Sequence, residues 1–173
     1  MENKFEQLDN EGRIIFKAYC EAQPWCKFIK TSKPNDVWDV SYFSGGTMII
    51  GEIKKRGFTS DKFTDWMIHQ HKIDSIETVR QKVIAKYQNL DTKIASQFIN
   101  LYTDDVVRIW DITDYQGVGV ELLVDDTFVN TKSQKIKTTL FLKNSESLLT
   151  DHLDWDKFLG IPINNETDQS LPF

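Results

Sequence analysis

Asp39, Glu52 and Lys54 are the residues of this chain whose types and spacing could do chemistry together. They lie in VWDVSYFSGGTMIIGEIKKR, two apolar, β-branched and aromatic runs separated by Ser44-Gly45-Gly46-Thr47. A Gly-Gly pair between such runs is a hairpin signal, because the turns that fit strand twist need positive φ. Centring the turn on Gly45-Gly46 sets Ser44 against Thr47, Phe43 against Met48 and Asp39 against Glu52. Asp39 and Glu52 then form a non-hydrogen-bonded pair, in which Cα atoms approach to roughly 4.5 Å. Like charges placed opposite each other repel, and removing one would relieve the strain in the absence of metal. A divalent cation between them relieves it too. Strand period puts Lys54 on the face of Glu52. Mg²⁺ suits two carboxylates plus waters and phosphate oxygens. A metal activates water and stabilises charge on phosphate, and Lys54 could orient that water or offset the developing charge.

Asp39 followed by Glu52-Ile53-Lys54 resembles the signature of the PD-(D/E)XK nuclease superfamily, over about residues 10–112. The resemblance implies a restriction-endonuclease-like core: an α/β fold whose mixed central sheet is flanked by helices, in the order helix, three strands, helix, strand. It implies metal ligation of Mg²⁺ or Mn²⁺ by Asp39, Glu52 and the backbone carbonyl of Ile53, with DNA as substrate and a 5′-phosphate as product. Pro34 is followed by Asn35, so the family's Pro-Asp dipeptide is absent and Asp36 is a rival to Asp39. Asp36 would face Lys55 and point to the opposite side of the sheet, which favours Asp39. Some members, archaeal-type Holliday-junction resolvases among them, carry a further acidic ligand near the start of the first helix. Glu11 is the best-placed candidate for it and Glu6 the next, although the helix macrodipole alone favours glutamates there. Lys55, Arg56 and Lys72 are candidate phosphate contacts. The stretch Trp66–Lys72 is similar to one downstream of E-x-K in nuclease-like proteins of phages and mobile elements. Compact size and the lack of a separate specificity domain make branched DNA the first substrate to consider. The alternative is an inactive nucleic-acid- or protein-binding regulator on the same scaffold.

A bare E-x-K arises by chance in many charged sequences; the hairpin register is what gives it weight here. The chain has 173 residues, 40% hydrophobic and 12% aromatic, which suits one folded domain rather than a disordered one. The formal net charge of −5 counts against a strong non-specific nucleic-acid binder. A homodimer that combines its basic surfaces is one way round that deficit, though the sequence does not show one. No apolar run approaches the roughly 18 residues of a membrane span, and the N-terminus has no signal-peptide core, so the expectation is a cytoplasmic protein. Cys20 and Cys26 lack zinc spacing and read as reduced thiols. Phosphate loops, nucleophile elbows and H-E-x-x-H are all absent.

Other elements must position these residues. Residues 1–22 read as a helix with an apolar stripe of Phe5, Leu8, Ile15, Tyr19 and Ala22. Trp25–Thr31 reads as a strand. The hairpin is apolar on both faces, with Trp38, Val40, Tyr42, Ile49 and Ile53 on one and Phe43, Met48 and Ile50 on the other, so it needs cover on both sides. Gly57–Asp65 reads as a loop pinned by Phe58 and Phe63. His69 and His71 would point apart on a helix, which argues against a shared metal. Ile73–Leu90 reads as the second helix, Ile94–Tyr102 and Val106–Ile112 as paired strands, and Ile136–Leu142 as a further strand. Ser145–Phe158 reads as a C-terminal helix. Residues 1–159 are expected to form one domain and residues 160–173 an irregular tail.

Overall fold

The structure, a computed structural model, describes residues 4–33, 36–88, 91–125 and 134–153. In chain order its elements are α1 (Lys4–Glu21), β1 (Cys26–Thr31), β2 (Val40–Ser44), β3 (Thr47–Lys55), β4 (Asp65–His69), α2 (Gln70–Lys86), β5 (Lys93–Leu101), β6 (Val106–Asp111), β7 (Val120–Asp125), β8 (Gln134–Lys143) and β9 (Leu149–His152).

The Gly45-Gly46 turn sets the frame. Both glycines have positive φ, 56° and 79°, which the absent Cβ permits. The register that follows is the expected one: Ser44 pairs Thr47, Phe43 pairs Met48, and Val40 pairs Gly51. β3 then runs parallel to β5, and β5 antiparallel to β6. The result is a six-stranded mixed sheet in the order β1-β2-β3-β5-β6-β9. Strand alternation gives β3 two apolar faces. Ile49 and Ile53 join Phe16, Tyr19 and Cys20 of α1 in one cluster. Met48 and Ile50 join Ile73 and Ile76 of α2, with Phe98 and Trp110, in the other. Each fully buried large apolar side chain contributes about 1.5–3 kcal/mol. Gly12 lets α1 lie close on the sheet, since a Cβ there would stand 3.2 Å from Ile53 Cγ2. The α/β architecture, a mixed sheet between helices, is the expected fold class.

Several elements differ from expectation. The stripe of α1 centres on Phe16, which is fully buried. Residues 37–39 precede the strand rather than belonging to it, and Trp38 packs against the second cluster, not beside Val40. The second helix starts earlier, at Gln70, and residues 89–90 lie outside the described residues. Trp66–His69 is strand, and β4, β8 and β7 make a separate three-stranded sheet. Its Trp66, Ile68, Leu140 and Leu142 close the second cluster.

The expected helix over 145–158 is corrected. A 3-10 turn at Asn144–Glu146 leads into β9, which pairs antiparallel with β6. Leu148, Leu149 and Leu153 mimic a helical stripe, but edge pairing and the Tyr19 hydroxyl, which donates to Asp151 Oδ2 at 2.8 Å, hold the segment extended. Residues 154–158 and the tail at 160–173 lie outside the described residues. Among the described residues no helix is long and apolar enough to cross a membrane.

Candidate active site

β3 carries Glu52 and Lys54 to its far end from the turn. Glu52 pairs Phe98 of β5 in register and is only 1% exposed, so its charge must be met inside the protein. Lys54 Nζ stands 2.9 Å and Lys72 Nζ 3.1 Å from Glu52 Oε1. Two ammonium groups thus meet one buried carboxylate oxygen as ion pairs. Lys72 reaches it from the first turn of α2.

Regular pairing of the hairpin stops at Val40–Gly51, one residue short of the expected Asp39–Glu52 pair. The Asp39 N–H instead donates to the Gly51 carbonyl at 2.8 Å. The Asp39 carboxylate turns back on the sheet, where Oδ2 accepts from the Ile53 N–H at 2.8 Å. Its Oδ1 accepts from Arg13 Nε and Nη2 of α1 at 3.0 and 2.7 Å. This ion pair is buried, the two side chains being 9% and 7% exposed. Burial first, and then the charge of Glu52, raise the Asp39 carboxyl above its ordinary range; the Ile53 N–H, Lys54 and Arg13 oppose this without overturning it. For Lys54, burial favours loss of the proton, but Glu52 and Asp9 outweigh it and the net direction is up. Lys54 is therefore held as an ammonium.

Asp9 was not singled out by sequence. Its Oδ1 lies 3.5 Å from Lys54 Nζ. Asp9 and Arg13 stand one helical turn apart on α1, in line with Phe16 and Cys20, so the buried stripe extends into polar residues where α1 passes the end of β3. The signal was there: a stripe followed through Phe16 rather than Ile15 points at both. Glu11 is directed elsewhere. It pairs with Lys55, which draws its carboxyl below the ordinary range. Nothing is described for the side chain of Glu6. Asp36 is exposed and accepts from the Lys33 N–H at 2.9 Å, within its own turn.

Among the proposed phosphate contacts, Lys72 faces the carboxylates and Lys55 is held by Glu11. Arg56 is built into the packing: its Nε donates to Asn100 Oδ1 at 3.0 Å, and its guanidinium lies 5.3 Å from the Trp66 ring and 5.9 Å from that of Phe98. Asn100, fully buried, pairs Lys54 across the sheet and was also missed by sequence. Trp66 is core, stacked on Phe58 at 5.3 Å, and Phe63 meets both rings edge-on, so the loop is pinned as expected.

Two buried carboxylates with Asp9 nearby make a hard-oxygen donor set, which suits a Mg²⁺-like ion. Among the described residues no three acidic, histidine or cysteine side chains already converge as a metal cage. Arg13, Lys54 and Lys72 hold the positive charge there instead. The donor set fits a divalent ion once an ammonium or guanidinium yields its place.

No family model and no curated protein matches the chain. Among solved structures, the Holliday junction resolvase Hjc of the archaeal hyperthermophile Archaeoglobus fulgidus is similar at 8% identity and a TM-score of 0.44, covering 90% of this chain and 96% of that one. At that distance the functional reading rests on the site itself.

Proposed function

We propose that this chain is a divalent-metal-dependent deoxyribonuclease, an endonuclease hydrolysing phosphodiester bonds in DNA, with branched DNA as its first substrate to test. The observation that carries the reading is Glu52: a buried carboxylate whose Oε1 faces Lys54 and Lys72, close enough to Asp39 for its charge to raise that carboxyl. Asp39, Glu52 and the Ile53 carbonyl would hold Mg²⁺ or Mn²⁺, with Asp9 in the supporting place first proposed for Glu11. Such an ion, when bound, activates water and offsets charge on the phosphate. Lys54, kept protonated by its acidic neighbours, offsets developing negative charge on the phosphate oxygens. Lys72 moves from Glu52 to a phosphate oxygen of the strand, and Lys55 contacts the flanking backbone. Arg56 acts from within the packing, holding Asn100 beside Lys54. A homodimer would set two such centres on one branched substrate.

One observation favours the second reading, a binding protein on the same scaffold. Both oxygens of Asp39 are already satisfied, by Arg13 and by the Ile53 N–H.

The deciding experiment incubates labelled duplex, single strand and four-way junction with Mg²⁺, Mn²⁺ or EDTA, beside Glu52→Gln. Metal-dependent cutting lost in the variant is expected. No cutting, together with no metal-induced shift in Tm, would overturn the nuclease and leave the binder.

A further inference from the structure

Resting on the nucleic-acid reading of the Glu52 centre, we propose that the outer face of the small sheet and the start of α2 form a phosphate track: His71, His69 and Lys137 hold the backbone of the nucleic-acid strand leading away from Glu52. The residues follow one another in space. Lys72 touches Glu52. His71 precedes it, and its ring stacks on His69 with centroids 5.7 Å apart and planes 17° apart. His69 ends β4 opposite Thr139 of β8, and its Nδ1 is 3.2 Å from Thr139 Oγ1. Lys137 shares the face of Thr139, two residues along β8 and opposite Leu122 of β7.

This line is built for anions. α2 begins at Gln70 with His69 in the capping position, no side-chain cap bond and no acid in its first turn. Its leading N–H groups and positive dipole end thus face the same region. Lys137 supplies a full charge. Burial, then Lys137, lower the pKa of both histidines, so at neutral pH the rings act as neutral N–H donors. The acidic groups that act on His71 are Asp74, bonded to Gln70 Nε2 at 2.8 Å, and Glu52, held by Lys54 and Lys72. A line of donors longer than one phosphate fits a repeating polyanion, and it runs against the chain's overall negative charge, which makes the placement selective.

The test is anisotropy of labelled single-strand and four-way-junction DNA in EDTA at pH 8, over a salt series, so that binding is read without cutting. Lys137→Ala is expected to weaken binding roughly tenfold and to reduce the salt slope by about 1, the signature of one lost phosphate contact. His71→Ala should weaken binding several-fold with the slope unchanged, because a neutral donor releases no counterion. Lys82→Ala, further along α2, serves as the control and should bind like the unaltered chain. Unchanged affinity and slope in both test variants would overturn the track, as would absence of binding by the unaltered chain. The two readings separate cleanly. Metal-dependent cutting with unaltered binding in Lys137→Ala removes the track and leaves the nuclease; lost binding in a chain that cuts nothing keeps the track and removes the nuclease.

Discussion

Asp39 and Arg13 illustrate what a buried charge demands of its neighbours. Taking one ion pair out of water gains little net stability, but removing one partner leaves the other stranded. Arg13→Met should therefore cost about 3–5 kcal/mol in urea unfolding. Arg13→Met with Asp39→Asn should recover part of that loss, the non-additivity expected of a contacting pair. Because the guanidinium stands where positive charge is needed, Mn²⁺ should raise the Tm of Arg13→Met more than that of the unaltered chain; an equal shift would argue against metal at Asp39. Glu52 reverses an expectation. From the hairpin alone, removing a carboxylate relieves repulsion and stabilises the metal-free protein. With Lys54 and Lys72 both within 3.1 Å of its Oε1, Glu52→Gln instead leaves two ammonium groups facing each other, and the Tm should fall. Glu52 and Lys54 share a face as expected because strand period is two; the expected Asp39–Glu52 pair does not form, since β2 begins at Val40 and the Asp39 carboxylate turns to the Ile53 N–H and Arg13. Arg13 and Asp9 were not legible, because a helix shows its buried polar residues only once the stripe they prolong is placed correctly.

Elements with strong local punctuation were read best. The Gly45-Gly46 hairpin, the first strand and the β5–β6 pair all follow from turn residues and alternation. Segments that depend on a distant partner were misread. The segment around β9 has a helix-like spacing of leucines and is extended because β6 offers an edge; β4 is extended because β8 pairs with it from seventy or more residues away. Nothing local announces either partner. The contact between α1 and β3 gives an element-scale test. A Cβ at Gly12 would meet Ile53 Cγ2 at 3.2 Å and Lys55 Cβ at 3.7 Å, so the neighbours must give way. Gly12→Val overpacks this seam and should cost about 1–3 kcal/mol. Since the seam sets where Asp9 and Arg13 meet the end of β3, cleavage should fall as well, and the expected sign is a loss of both. A variant of full stability and full activity would show that α1 can shift without disturbing the site.

At the scale of the whole molecule, the two cores contain buried groups that stay neutral when folded. Burial, with Asp151 beside it, raises the Tyr19 hydroxyl; burial likewise raises Tyr42, and lifts Tyr102 to about 12. Burial also raises the Cys20 thiol, with Cys26 adding to it. Each of these groups gives up its proton later in the folded chain than in the unfolded one. The folded state then holds more protons above the ordinary phenol and thiol values, so stability must fall as pH rises. Lys54 acts in the same sense, since its pKa is raised from the ordinary 10.5: its contribution is complete below that value and is lost as pH climbs through the higher folded one. The Tm measured from pH 8 to pH 11.5 should therefore decline steadily, and Tyr102→Phe should flatten part of that decline because it removes one titrating group. Lys54→Met should lessen the decline above about pH 10.5, where the tyrosines of the cores still contribute, and leave the decline below it in place. A Tm that holds level to pH 11 would mean that these groups reach water in the folded chain, and that the two clusters do not seal the sheet on both faces.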